Sequence, residues 1–194
     1  DTGSFALDKY NLDDGKTLQD AFGKLNLGNG LSAEDIVHIW ISDAEQLKGI
    51  QSYYDSVTTT GETTKILNYN FALKGNIDAS ALTGYEEIGG GTTDGYSGTF
   101  DGRDFRIIGL NTNTTSEQDA SSGIFGKLAG TVKDLRVYAS KFFGDDNESA
   151  GAIASEVTEG GKITGVTTFG NRVEAANAGG IAGTNAGKIE SSAA

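Results

Sequence analysis

The sequence predicts a mainly β chain, a right-handed parallel β-helix (β-solenoid) with a small N-terminal helical cap. Three observations point there. Short apolar stretches recur through the second half of the chain, glycine is about twice as frequent as in an average protein, and proline is absent. A unit of about 25 residues made of short strands cannot bury its apolar face alone, so it acquires a core only by stacking on its neighbours. Stacked parallel strands also use nearly every backbone amide as a donor to the next coil, which disfavours proline.

The leader Asp1 to Leu31 is polar. One short helix is expected over Thr17 to Leu25, where Leu18, Ala21, Phe22 and Leu25 share a face and Gly28 and Gly30 follow. The run Ile36-Val37-His38-Ile39-Trp40-Ile41 is rich in β-branched residues and reads as a buried strand. Ser42-Asp43-Ala44-Glu45 follows it as a capping box, with Ser42 expected to accept from the Glu45 amide. Ala44, Leu47, Ile50, Tyr54 and Val57 then trace the single apolar stripe of a helix ending near Val57. Residues 1-64 are accordingly expected to form an N-terminal α/β capping segment, and 65-194 a solenoid of about four turns.

From Lys65 onward the helical period gives way to short strands between Gly, Asn, Asp, Ser and Thr. Aligning Gly98 to Leu110 with Gly123 to Leu135 places Phe100 over Phe125, Ile107 over Val132 and Leu110 over Leu135. Further copies begin at Ala152-Ile153 and Gly180-Ile181. The expected inward ladders are therefore the Phe100 and Phe125 pair and the row Ile107, Val132, Ile163 and Ile189, with glycines at bends that need φ > 0. At about 4.8 Å per coil, four turns make a column on the order of 20 Å tall.

Fifteen Lys and Arg against 27 Asp and Glu give a net charge of −12, which disfavours nucleic acid or an anionic membrane surface as partner. No run approaches a membrane span, and no basic-then-apolar signal segment occurs. Without cysteine there are no disulfides or thiolate metal sites. The chain breaks off at Ser191-Ser192-Ala193-Ala194 just after a repeat begins, so continuation of the same polypeptide beyond Ala194 is expected.

Candidate site residues are few. His38 is the only histidine and is read as packed beside Ile36 and Trp40. Asp145-Asp146-Asn147-Glu148 could offer oxygen ligands to calcium, but EF-hand and nonapeptide spacings are missing, and the segment is read as a solvated turn. Asp13-Asp14-Gly15 is a weaker instance. Asp101, Asp104, Glu86 and Glu87 could serve acid-base chemistry on a polysaccharide, yet no basic cluster supports them in the same segment. Tyr53, Tyr54, Tyr69, Tyr85 and Tyr96 could stack on sugars, though packing under loops is the commoner fate. Asn113-Thr114-Thr115 and Asn147-Glu148-Ser149 match the glycosylation sequon. No catalytic, cofactor-binding or metal residue is assigned.

At Ser97-Gly98-Thr99-Phe100-Asp101-Gly102, Gly123-Ile124-Phe125-Gly126 and Gly180-Ile181-Ala182-Gly183 the sequence resembles the GLUG-repeat proteins, bacterial exported proteins of the filamentous-haemagglutinin type. Ile39-Trp40-Ile41-Ser42-Asp43-Ala44-Glu45-Gln46-Leu47 is similar to the segment that precedes such repeats, and Leu73-Lys74-Gly75-Asn76-Ile77-Asp78-Ala79 to the strand that follows it. The likeness runs from Ile36 to Ser192. Ser155 stands where the repeat has its last glycine, and the segment before Ile36 has no counterpart. The resemblance also touches the zinc-dependent immunoglobulin A1 peptidases, but their His-Glu-x-x-His motif is missing. It implies a non-catalytic, secreted or surface-displayed adhesin-type solenoid, acting as binding surface or rigid stalk, with host glycan or matrix protein as partner. A polysaccharide-active enzyme or a spacer of a large secreted peptidase are the alternatives.

Overall fold

The computed structural model describes residues 39–58, 66–112 and 122–194, with the side chains of 53–58 and 66 outside that description. Predictions on Thr17 to Leu25, Asp13-Asp14-Gly15, His38 and Asn113-Thr114-Thr115 lie outside the described residues. The chain is a β-solenoid of about four turns in which every named strand pair is parallel. Its strands are two to four residues long, because each side of a coil is only that wide before the chain must bend.

The largest sheet stacks β1 (Ile39–Ile41), β2 (Phe71–Leu73), β4 (Thr99–Asp101), β7 (Thr131–Lys133), β12 (Lys162–Thr164) and β17 (Lys188–Glu190), in that order. Ile39, Phe71, Phe100, Val132, Ile163 and Ile189 stand in register along it and point inward. The first rung of this sheet, β1, thus precedes Lys65. The second sheet stacks β3 (Ile77–Asp78), β5 (Arg106–Ile108), β8 (Arg136–Tyr138) and β13 (Thr167–Phe169), and its inward row is Ile77, Ile107, Val137 and Thr168. Thr168 is buried in an apolar row, and its hydroxyl donates to the Gly180 carbonyl oxygen at 2.7 Å, so no polar atom is stranded.

The third sheet joins β6 (Phe125–Leu128), β11 (Ala154–Val157) and β16 (Ala182–Asn185), extended one coil down by bridges from Ile88 and Tyr96. The pairs β9 (Lys141–Phe143) with β14 (Arg172–Glu174) and β10 (Ser149–Gly151) with β15 (Asn177–Gly179) complete the coils. Ser155, the departure from glycine, sits buried in β11, and its hydroxyl donates to the Gly126 carbonyl of the coil below.

The ladders differ from those predicted. Phe100 and Phe125 do touch, edge to face at 5.4 Å between ring centres, but they come from different sheets: Phe100 lies over Val132 and Phe125 over Ala154. Ile107 stacks on Val137 and does not belong to the Val132 row. Partners in the largest sheet are 26 to 32 residues apart, where the alignment used 25. The two phenylalanines were superposed because each follows a glycine two positions earlier. The true equivalents of Gly98 are Gly130, Gly161 and Gly187, each two residues before an inward side chain of that sheet.

This glycine column answers a close approach between coils and not a bend. A methyl group at Gly130 would overlap the Gly98 carbonyl oxygen, and one at Gly187 would overlap that of Gly161. The left-handed corners are a separate feature. After the largest sheet they are occupied by Arg103 (φ 50°) with Asp104 (φ 62°), Asp134 (φ 50°), Gly165 (φ 64°) and Ser191 (φ 48°), and after the second sheet by Gly109, Ala139 (φ 50°) and Gly170. Non-glycine residues therefore hold bends that were expected to need glycine.

Helix α1 (Ala44–Thr58) covers the N-terminal end of the column. Leu47 and Ile50 are fully buried in the common core, with Ala44 packed against it. The cap lies one residue later than predicted. Asp43 Oδ1 accepts the Gln46 amide at 2.8 Å, while Gln46 Oε1 accepts the Ser42 amide at 2.7 Å, so an Asp–Gln pair performs the reciprocal capping expected of Ser42 and Glu45. Gln51 anchors the helix by accepting the Gly89 amide, and Lys48 by donating to the Thr83 carbonyl.

Candidate interaction surface on the second sheet

Strands of two to four residues leave one or two side chains per rung pointing outward. On the second sheet the outward rows are Arg106, Arg136 and Thr167, and Asp78, Ile108, Tyr138 and Phe169. Phe169 is 74% exposed and is the one exposed large hydrophobic side chain among the described residues. Its ring meets Tyr138 edge to face at 6.3 Å, and the Arg106 guanidinium lies 5.5 Å from the Tyr138 ring centre. Beyond the next bend Lys141 stacks on Arg172, whose guanidinium lies 5.4 Å from the Phe143 ring centre. The outward positions of these strands carry the cations Arg106, Arg136, Lys141 and Arg172 against the carboxylates Asp78 and Glu174, on a chain whose net charge is −12.

Cations stacked directly above one another repel, and on the largest sheet this protein relieves the repulsion with an acid. Lys162 and Lys188 are register partners, and the Glu190 carboxylate reaches both, at 3.2 and 2.5 Å. Those contacts hold its carboxyl below the ordinary glutamate value. Arg106 and Arg136 are register partners of the same kind. Arg136 meets Asp104 at 3.1 Å, whereas Arg106 has no carboxylate partner among the described residues. Arg172 pairs with Glu174. At the far end of the aromatic row, Asp78 accepts from the Ser80 hydroxyl and amide, which hold its carboxyl below the usual carboxylate value and keep it charged.

No family model, curated protein or solved structure matches the chain. Asp101 makes an ion pair with Lys133 at 2.8 Å across one rung, and Asp104 is committed to Arg136. Glu86 and Glu87 lie in the loop before Ile88, on a different part of the coil. The structure does not bring these four acids to one strand face.

Asp145 to Glu148 form the turn between β9 and β10. The Asp145 carbonyl accepts the Glu148 amide, and the coil above adds the Ala176 and Asn177 amides to the Asp145 and Glu148 carbonyls. Among the described residues no group of three or more His, Cys, Asp or Glu is placed to hold a metal ion. No helix among them is long and apolar enough to cross a membrane.

Tyr69, Tyr85 and Tyr96 are core side chains, not platforms. The Tyr85 hydroxyl donates to the Ile124 carbonyl at 2.8 Å and that of Tyr96 to the Tyr69 carbonyl at 2.9 Å. Burial pushes both phenols well above the ordinary tyrosine value, helped at Tyr85 by the nearby Glu87 charge and opposed at Tyr96 by the Phe71 amide. Side chains of Tyr53 and Tyr54 lie outside the described residues. The outward aromatics, half-buried Tyr138 and exposed Phe169, were not singled out from sequence. Their signal was present as outward residues 30 and 31 positions apart in Ile108, Tyr138 and Phe169, and a 25-residue period hid it.

Proposed function

We propose that this protein is a non-catalytic, adhesin-type display module, secreted or held at a bacterial cell surface and related to the GLUG-repeat exported proteins. The solenoid serves as a rigid stalk that carries a binding face. The observation that supports this reading is the exposed Phe169 ring packed against the half-buried Tyr138 and flanked by arginines, on a chain whose net charge is −12. Exposed aromatic rings beside Arg are the residue types that concentrate at recognition surfaces, because they bury much area at little entropic cost. The carboxylates Asp101 and Asp104, which an acid-base mechanism would need, are instead engaged by Lys133 and Arg136.

The test is a panel of immobilised glycans and matrix proteins probed with the chain and with the doubly substituted Tyr138→Ala, Phe169→Ala protein. Display predicts at least one ligand retained by the first and lost by the second. Absence of any retention at high micromolar protein would overturn the binding role, as would retention that the double substitution leaves untouched.

A further inference from the structure

Resting on the display reading, we infer that the second-sheet face binds a linear carboxylated polysaccharide, a polyuronate chain running along the column axis over Arg106, Arg136, Tyr138 and Phe169. Three features of the surface select this chemistry. Arginines on adjacent rungs are stacked in register; Asp104 reaches Arg136 alone, and among the described residues no carboxylate bridges the two as Glu190 bridges Lys162 and Lys188 on the largest sheet. An anion supplied from outside would take the place that Glu190 fills for Lys162 and Lys188. Guanidinium is suited to it, since its planar fork holds a carboxylate through two parallel hydrogen bonds.

Aromatic side chains stand in the row beside those arginines, Tyr138 on the same strand as Arg136 and Phe169 on the next rung, and Phe169 leaves most of its ring to solvent. A pyranose offers an apolar face of C–H groups that removes such a ring from water, while its equatorial hydroxyls remain solvated. The surface also repeats. Each rung adds about 4.8 Å, close to the advance of one sugar along an extended chain, and each rung from β5 to β13 presents a fresh side chain in both outward rows. A polymer with one carboxylate and one apolar face per residue can meet Arg106 and Arg136 on successive rungs and the rings of Tyr138 and Phe169 on the next pair, whereas a folded acidic protein shows its carboxylates at irregular spacing. Asp78, on the rung below Arg106, carries a repelling charge and ends the cationic run there, so the polyuronate chain lies over the rungs from β5 to β13.

The net charge of −12 excludes nonspecific attraction of a polyanion to the whole chain and requires a local cationic site. The experiment is isothermal titration of the protein with β-1,4-linked oligomannuronate and with the β-1,4-mannan oligomer of equal length, which differs only in lacking the carboxylates. Binding of oligomannuronate, weakened by added salt, and about tenfold or more weaker binding of mannan are expected. Arg106→Gln and Phe169→Ala should each weaken oligomannuronate binding by about tenfold, and Arg106→Lys should fall between Arg106→Gln and the parent. Both side chains are exposed, and thermal unfolding of each variant checks that the fold is kept.

Equal binding of the two oligomers, or oligomannuronate binding that ignores both substitutions, would overturn the inference. If neither oligomer binds but another ligand of the panel is retained through Tyr138 and Phe169, the polyuronate inference falls and the display reading stands. If no ligand is retained at all, both fall.

Discussion

Truncating inward side chains along one ladder of the largest sheet provides a graded test of the stacked core. Phe100 is fully buried between Phe71 and Val132, with the Phe125 ring edge-on at 5.4 Å. Phe100→Ala removes the ring's transfer energy and leaves a cavity that two fixed neighbouring rungs cannot close, a loss of about 3–5 kcal/mol that includes about 1 kcal/mol from the ring pair. Ile163 is as deeply buried, so Ile163→Ala should cost about 2–5 kcal/mol. Ile189 occupies the same row on the last rung and is only half-buried, so its truncation should cost about 1–2 kcal/mol. Phe169→Ala, on the outer face, should stay within about 0.5 kcal/mol of the parent. Equilibrium urea unfolding followed by tyrosine and tryptophan fluorescence reads these values from the midpoint at constant slope. A loss at Phe169 equal to that at Phe100, or a larger one at Ile189 than at Ile163, would refute the ladder.

Ala139 holds a left-handed corner without the freedom of glycine, a strain of about 1–2 kcal/mol, so Ala139→Gly should stabilise the chain by about 0.5–1 kcal/mol after the entropic cost of glycine. A lowered melting temperature would contradict this. Gly130→Ala, which drives a methyl group into the Gly98 carbonyl, should destabilise by about 1–3 kcal/mol or more, whereas Gly75→Ala, with open space around it, should not; denaturation midpoints compare the two. Tyr85 and Tyr96 have phenols raised by burial, so the unfolded chain releases those protons first and stability falls as pH rises above about 10. An alkaline titration should accordingly show their tyrosinate absorbance only together with loss of the β-sheet circular dichroism. Absorbance changes complete before unfolding would disprove it.

Repetition, strand brevity and parallel stacking were legible in the chain because inward residues must alternate and recur. Val132, Ile163 and Ile189 were placed in one row from sequence, and the structure keeps them there. Register was not legible. One coil contains several apolar sides that resemble each other, so Phe125 on the third sheet could pass for the equivalent of Phe100 on the first. Only coil-to-coil pairing separates them. The helix cap slipped for a related reason, since Ser42 and Asp43 can both cap and the choice depends on where the chain leaves β1. The outward face was illegible because its meaning lies in which rungs are adjacent: Arg106 and Arg136 are 30 residues apart in sequence and neighbours on the column.

The stacked core depends above all on the coil-to-coil register, and a cysteine-free chain allows that register to be read by disulfide trapping. Thr99 and Thr131 are partners on neighbouring rungs of the largest sheet, at the strand separation of about 4.8 Å that a disulfide can bridge. The Thr99→Cys, Thr131→Cys protein should cross-link rapidly and completely under mild oxidation. The Arg106→Cys, Thr131→Cys protein, with cysteines 25 residues apart on different sheets, should stay reduced. Rapid closure of the second pair, or a persistently reduced first pair, would contradict the stacked register.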